Sequence, residues 1–366
     1  MARKIFVAAT GMNSGKTTTS LSLMHMALRK YKRVGFIKPI GPKLVEFNGQ
    51  VADKDAVLMA RYFGLEEDLS LMSPFVLKPG DTRRVMDGEL SSDQIRKQIF
   101  DAIDELDKKN DFLIIEGAGH TGVGTLLGCN NAQIATATGA TVLMVTGGGL
   151  GNVVDTAQVN LALFQKEKSR VKAILVNKIV PEKREKTLAY LERAFSNEDV
   201  KVLGGFNYQP ILANPTLRRI AKVLDTELIA HSDQGQRIIH NVQIGAASSQ
   251  RVVELLREST LIVVNSSRDE LLVTLSHLFQ LDEYRPLIAG IVIPGVSEIS
   301  NITKKIINSS GIPYMVDKRT STHVFEIIND DVSKLTVEDT HKLKLLTELA
   351  EKRFNFDEID ALLDDC

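Results

Sequence analysis

A chain of 366 residues, 43% hydrophobic and 25% charged, has the composition of a soluble globular protein and the length for about two or three domains. Its formal net charge of -1, from 45 Lys+Arg against 46 Asp+Glu, excludes a global basic field for nucleic acid or for an anionic membrane, which leaves small molecules and proteins as expected partners. With Cys129 and Cys366 as the only cysteines and no apolar run near ~18 residues, a disulfide framework, a Cys-rich metal site and a membrane span are excluded, and a reducing, cytoplasmic setting is expected.

The first apolar run, Ile5-Phe6-Val7-Ala8, reads as a buried strand and leads into Thr10-Gly11-Met12-Asn13-Ser14-Gly15-Lys16-Thr17-Thr18. The following apolar spacing of Leu21, Met24 and Leu28 suits a helix packed on a sheet. Further strands are expected at Val34–Ile37, Phe112–Ile115, Val142–Val145 and Ala173–Val176, each apolar throughout, as in parallel sheets buried on both faces. Between them, Val57, Ala60 and Arg61 mark a helix whose Arg61 must point outward.

After Pro215 the run Leu217–Leu224 is helical in pattern, and a second set of strands follows at Val242–Ile244, Leu261–Val264, Ile288–Ile293 and Tyr314–Val316. Asp225 to Gln236 is polar and broken by His231-Ser232-Asp233-Gln234-Gly235, which sets the boundary there. The expected organisation is a P-loop domain with a mainly parallel sheet over residues 1–225, a smaller α/β domain over 226–345, and a helix with an acidic tail over 346–366. Residues 1–225 are expected to fold alone, because they hold at least five strands and every proposed ligand contact.

Gly15-Lys16-Thr17 after a strand and before a helix is the pattern of a phosphate-binding loop: backbone N–H groups surround the phosphates, Lys16 neutralises them and Thr17 ligates Mg²⁺. Thr10 stands where the standard motif has its first Gly. The strand Phe112–Ile115 ends in Glu116-Gly117-Ala118-Gly119, so a carboxylate and a flexible turn meet at a strand C-terminus, where ligands bind in open α/β sheets. Glu116 could hold Mg²⁺ there, and the glycines allow close backbone approach to a phosphate or substrate.

In these residues the chain resembles the dethiobiotin synthetase-like P-loop proteins, above all the dethiobiotin synthetase-like N-terminal region of long phosphate acetyltransferases. The resemblance covers residues 1 to about 225 through Thr10–Thr18, Lys38-Pro39, Lys54-Asp55-Ala56, Glu116–Gly119, Asn130-Asn131-Ala132-Gln133-Ile134-Ala135, Val176-Asn177-Lys178 and Pro215-Thr216-Leu217. It implies ATP and Mg²⁺ as cofactors, with Thr17, Asp55 and Glu116 around the metal. Lys16 and Lys38 become the catalytic cations on phosphate or carboxylate. Asn177, with Lys178 beside it, meets the nucleotide base. From the residues alone, Asp55 is equally a charge at a helix N-terminus and Asn177 a turn residue after a strand. The loop Gly119-His120-Thr121-Gly122-Val123-Gly124 departs from the Gly-Gly-aromatic run of dethiobiotin synthetase itself; His120 is either a substrate contact or an exposed loop residue.

Residues 226–345 resemble the DRTGG domain of the same long enzymes, through Val242–Ser248, Leu261–Asp269, Ile288–Pro294 and Asp317-Lys318-Arg319-Thr320. The naming motif is not literal, and Arg268 with Asp269 reads either as a ligand or subunit contact or as an exposed ion pair. Acetyl transfer is not expected, since only about twenty residues follow Leu345, and no Cys suits a glutaminase nucleophile. The function this points to is a Mg²⁺-dependent ATP-binding protein with a regulatory or ligand-sensing second domain, expected to self-associate. The alternative is an ATP-dependent C–N ligase.

Overall fold

The computed structural model describes residues 1–231, 233–330 and 335–364. Ser232 of the expected linker and Asp365 and Cys366 of the expected acidic tail lie outside the described residues. The chain divides into two units, Met1–Gln209 with the chain from Leu335 onward, and Pro210–Lys334.

The first unit is built on six parallel strands: β1 (Arg3–Ala9), β2 (Val34–Ile37), β3 (Phe112–Glu116), β4 (Thr141–Gly147), β5 (Val171–Asn177) and β6 (Lys201–Gly204), in the order β6-β5-β4-β1-β3-β2. All five residues of β3 and the last five of β1 are buried, because helices cover both faces. Register pairs Val7 with Glu116 and Ala9 with Val145. The end of β3 therefore surfaces beside the turn that leaves β1.

Helix α1 (Lys16–Ala27) follows that turn, and α2 (Lys54–Phe63), α3 (Ser92–Lys109), α4 (Asn131–Thr138), α5 (Leu150–Lys166) and α6 (Arg184–Ala194) complete the layers. Strand β6 was not anticipated, nor was an antiparallel hairpin of Leu44–Phe47 with Gln50–Asp53. Its turn residues Asn48 and Gly49 have φ of 50 and 74, the left-handed conformation that an Asn-Gly hairpin turn requires. Arg61 does point outward, donating to Glu338 at 3.0 Å.

The second unit has its own parallel sheet, β7 (Asn241–Ile244), β8 (Thr260–Val263), β9 (Ile288–Pro294) and β10 (Tyr314–Asp317), in sequential order. Helix α7 (Leu217–Leu224) packs with α10 (Ser321–Asp330) against Leu261, Ala289 and Met315. Helices α8 (Asp269–Gln280) and α9 (Asn301–Ser310) share a separate core with Ile262, Ile291 and Tyr314. Parallel strands in sequential order account for this, since crossovers of one hand put the connecting helices on one face.

Two boundaries fall earlier than the sequence suggests, at 209/210 and 334/335 instead of 225 and 345. For the first the reason is α7, whose Leu217, Ile220 and Leu224 are buried in the second unit's core. For the second it is α11 (Thr340–Arg353), which packs on α1 together with α12 (Phe356–Ala361). The expected helix and acidic tail are thus two helices of the first unit. Their acids meet basic residues: Glu351 pairs with His25 at 3.0 Å and Arg29 at 3.1 Å, and Asp360 with Arg3 at 3.1 Å and Lys30 at 2.8 Å.

Candidate functional site

Thr10 continues β1, its N–H donating to Val145 O at 3.1 Å and its hydroxyl to Thr146 Oγ1 at 3.1 Å. The turn then needs left-handed backbone at Asn13 (φ 62) and Gly15 (φ 99). A Cβ on Gly15 would lie 2.3 Å from Asn177 Nδ2, so this Gly is required both by conformation and by contact. Thr10 and Gly11 stay outside the left-handed region, which is why the first motif position tolerates Thr. Met12 is exposed and Ser14 Oγ donates to Gly11 O at 3.1 Å.

Lys16 opens α1 and its ammonium donates to Gly119 O at 2.7 Å and Gly11 O at 3.3 Å. It spans the loop after β1 and the loop after β3. Thr17 Oγ1 donates to Glu116 Oε1 at 3.3 Å, and Thr18 O accepts from Ser22 Oγ.

Below the loop lies a buried cluster of charge. Lys38 Nζ is 2.5 Å from Asp55 Oδ2 and 2.7 Å from Glu116 Oε1, and no side chain of the three is more than 3% exposed. Burial pushes the Lys38 pKa down, but Glu116, Asp55 and Asp53 outweigh it and leave it raised. Asp53 caps α2, accepting from Asp55 N at 2.9 Å and Lys43 N at 3.0 Å. Burial, opposed by Lys38 and reinforced by Asp55, raises its pKa. Asp53, Asp55 and Glu116 gather, buried, around Lys38, and Glu116 Oε2 is buried with no hydrogen-bond partner. That donor set, with the Thr17 hydroxyl, fits a hard divalent cation whose remaining ligands are phosphate oxygens and water. Among the described residues no three His, Cys, Asp or Glu side chains enclose an ion by themselves.

The loop Gly117–His120 is held by Asn131 of α4. Its Oδ1 accepts from Ala118 N at 3.2 Å, and its Nδ2 donates to Ala118 O and His120 O, each at 2.7 Å. A Cβ on Gly117 would sit 2.8 Å from Asn131 Oδ1. Asn160 of α5 ties the same loop to the β1 turn: its Oδ1 accepts from Thr121 N and Oγ1, and its Nδ2 donates to Thr10 O at 3.2 Å. His120 is exposed, and its Nδ1 accepts from Gly122 N at 3.2 Å.

At the end of β5, Asn177 is buried beside the β1 turn. Its Oδ1 accepts from Phe206 N at 3.0 Å and Lys178 N at 3.1 Å, and its Nδ2 donates to Ser14 O at 3.4 Å. Lys178 adopts φ 56, and burial lowers its pKa. The expected site residues therefore gather in the first unit, at the carboxyl ends of β1, β2, β3 and β5, with Asp55 in the first turn of α2. Sequence reasoning assigned no role to Asp53, Asn131 or Asn160; Asp53 left a local signal, as an N-cap two residues before Asp55, and Asn131 appeared only inside a motif of the resemblance. In the second unit Arg268 braces a loop, donating to Gly245 O, Ala246 O and Ala247 O while pairing with Glu270. Asp269 begins α8.

Comparison with known proteins matches residues 3–216 to an AAA domain and residues 219–330 to a DRTGG domain. Phosphate acetyltransferase of Nitratidesulfovibrio vulgaris is 20% identical, over 99% of this chain and 52% of its own length. The ATP-dependent dethiobiotin synthetase BioD of Methanocaldococcus jannaschii is 34% identical over 31% of this chain and 52% of that protein. This chain thus spans about half the length of the acetyltransferase it matches. A solved structure of the CBS and DRTGG domains of Clostridium perfringens pyrophosphatase with diadenosine tetraphosphate is 13% identical, covering 46% of this chain and 74% of that one. Its TM-score of 0.28 superposes too little to support a functional argument.

Proposed function

Because this chain belongs to the AAA domain family through residues 3–216 and carries a DRTGG domain over 219–330, we propose that it is a Mg²⁺-dependent ATP-binding protein whose second unit senses a ligand. The observation that carries the reading is the convergence of Thr17, Asp55 and the partnerless Glu116 Oε2 around Lys38. Backbone N–H groups at Gly15, Lys16 and Thr17 face the phosphates at the N-terminus of α1, where the helix dipole favours anions. Lys16 leaves Gly11 O and Gly119 O to neutralise them. Bound Mg²⁺ supplies charge screening between phosphate oxygens, and Thr17, Asp55 and Glu116 hold it. Asn177 offers its amide N–H to the base, with Lys178 alongside. Self-association belongs with the second unit, where Val296 and Ile302 are 92% and 74% exposed.

A second reading, ATP-dependent C–N ligation, is favoured by the placement of two cations at the β3 terminus, Lys38 on Glu116 and Lys16 on Gly119 O. There they would stabilise an acyl or carbamoyl phosphate. Phosphate release that requires an amine and a carboxylate or carbamate acceptor distinguishes it from slow hydrolysis.

The metal assignment is tested by titrating ATP into Glu116→Gln and Asp55→Asn with Mg²⁺ and with EDTA. Each variant loses a charged oxygen ligand and no phosphate contact, so the advantage that Mg²⁺ gives falls by at least about tenfold while affinity in EDTA does not fall. An equal loss under both conditions makes the carboxylates structural.

A further inference from the structure

The chain from Leu335 onward belongs to the nucleotide-binding unit although the whole second unit separates it from β6. Helix α11 buries Leu343, Leu346 and Ala350, and the segment after it delivers Phe354 onto Phe206. The two rings are stacked, with centroids 5.8 Å apart and planes inclined by 23°, and both are buried. Phe206 is the residue whose main-chain N–H donates to Asn177 Oδ1 at 3.0 Å. Asn177 in turn touches Ser14 and closes against Gly15. A continuous path of contacts therefore runs from Phe354 through Phe206 and Asn177 to the phosphate loop.

Two features fix this path. Arg184 donates to Gly205 O and to the Asn207 side-chain Oδ1, each at 2.8 Å, and so holds the backbone before Phe206 and the side chain after it. Glu358 pairs with Lys201 at 2.5 Å, tying the segment to β6, the strand that leads into Phe206. Between these anchors the stack with Phe354 holds the ring of Phe206, and with it the residue that presents the N–H to Asn177. An aromatic pair of this kind contributes beyond its buried area because its geometry is restricted.

We infer that Phe354 is a positioning residue for the nucleotide base: it fixes Phe206, through it the orientation of the Asn177 carboxamide, and so the share of affinity that comes from the base. The inference rests on the ATP reading above. It places a determinant of base recognition outside the residues that resemble dethiobiotin synthetase, in a segment that sequence patterning reads as a helix and an acidic tail. Without the ring of Phe354, Phe206 is held less firmly at its N–H, and the Asn177 carboxamide keeps only the Lys178 N–H and Ser14 O to orient it. Lys16 and the backbone of the phosphate loop keep their contacts.

The test is calorimetric titration of the full-length protein with Mg²⁺·ATP and with Mg²⁺·tripolyphosphate, for wild type, Phe354→Leu and Phe354→Ala. Leu keeps an apolar side chain of similar bulk without the ring plane, and melting of each variant checks that the unit remains folded. Wild type is expected to bind ATP more tightly than tripolyphosphate. Both variants are expected to lose about tenfold for ATP, the size of one oriented hydrogen bond, and to hold tripolyphosphate within about twofold. Unchanged ATP affinity, or equal losses for the two ligands, overturns the role of Phe354. Wild type binding ATP no better than tripolyphosphate overturns the base-contact reading itself, and with it the inference. Wild type binding neither ligand defeats the underlying nucleotide reading.

Discussion

Replacing Lys38 by Met removes a cation from between two carboxylates and leaves a side chain of similar length in its place. In wild type the ammonium lies 2.5 Å from Asp55 and 2.7 Å from Glu116, with all three groups almost fully buried. Removing one partner of a buried ionic pair leaves uncompensated charge and costs about 3–5 kcal/mol. For a unit of this size each kcal/mol moves the melting temperature by ~2–4 °C, so the first unit of Lys38→Met melts about 6–20 °C lower in EDTA. A further consequence identifies the cause. Mg²⁺ in excess restores the missing positive charge, so it raises the melting temperature of Lys38→Met more than that of wild type. Differential scanning calorimetry with Mg²⁺ and with EDTA reads both. A variant that melts with wild type in EDTA, or that Mg²⁺ stabilises no more than wild type, refutes the reasoning that this cluster is an anionic site balanced by Lys38.

Asp53 has a raised pKa, caused first by burial, so the folded state holds its proton more tightly and its contribution to stability is lost as pH rises through the folded value. Asp53→Asn has no such proton, and its melting temperature relative to wild type is predicted to rise between about pH 3.5 and pH 7; a relative fall contradicts the assignment. Burial, and then a hydrogen bond to Asp360, push Tyr31 up to about 12. Ultraviolet titration of the six tyrosines should therefore contain a late Tyr31 step, beside that of Tyr314, which burial also raises, and Asp360→Asn moves the Tyr31 step toward 10, the ordinary tyrosine value; a step that stays in place means that α12 does not dock through Asp360.

The phosphate loop was legible in the sequence because its backbone demands are written as residue types. Gly15 must adopt φ 99 against Asn177, and Lys16-Thr17 must start a helix directly after it. Glu116 was legible because β3 is apolar up to the point where it appears. The roles of Asn131 and Asn160 were not, because they are set by hydrogen bonds to loops distant in sequence, and a lone Asn carries no periodic signal. The return of the C-terminal segment was hidden for a related reason. Glu351, Glu358 and Asp360 read only as part of an acid-rich helix and tail until their partners His25, Lys201 and Arg3 are known. Helix α7 was legible as a helix, but which core would take its Leu217–Leu224 face was not, since either sheet offers an apolar surface. The hairpin at Asn48-Gly49 escaped notice because its strands are short and half exposed, although the Asn-Gly pair is itself a turn signal.

The central claim is that the turn Thr10–Thr17 holds the phosphates of ATP. Calorimetric titration of the full chain with Mg²⁺·ATP, set beside Lys16→Ala, tests it most directly. Saturable binding by wild type is predicted, with a tenfold to hundredfold loss in the variant, because removing the ammonium leaves phosphate charge uncompensated at a cost of ~1.5–3 kcal/mol. Equal affinity in the two proteins would contradict the account, since a phosphate loop cannot be indifferent to its lysine.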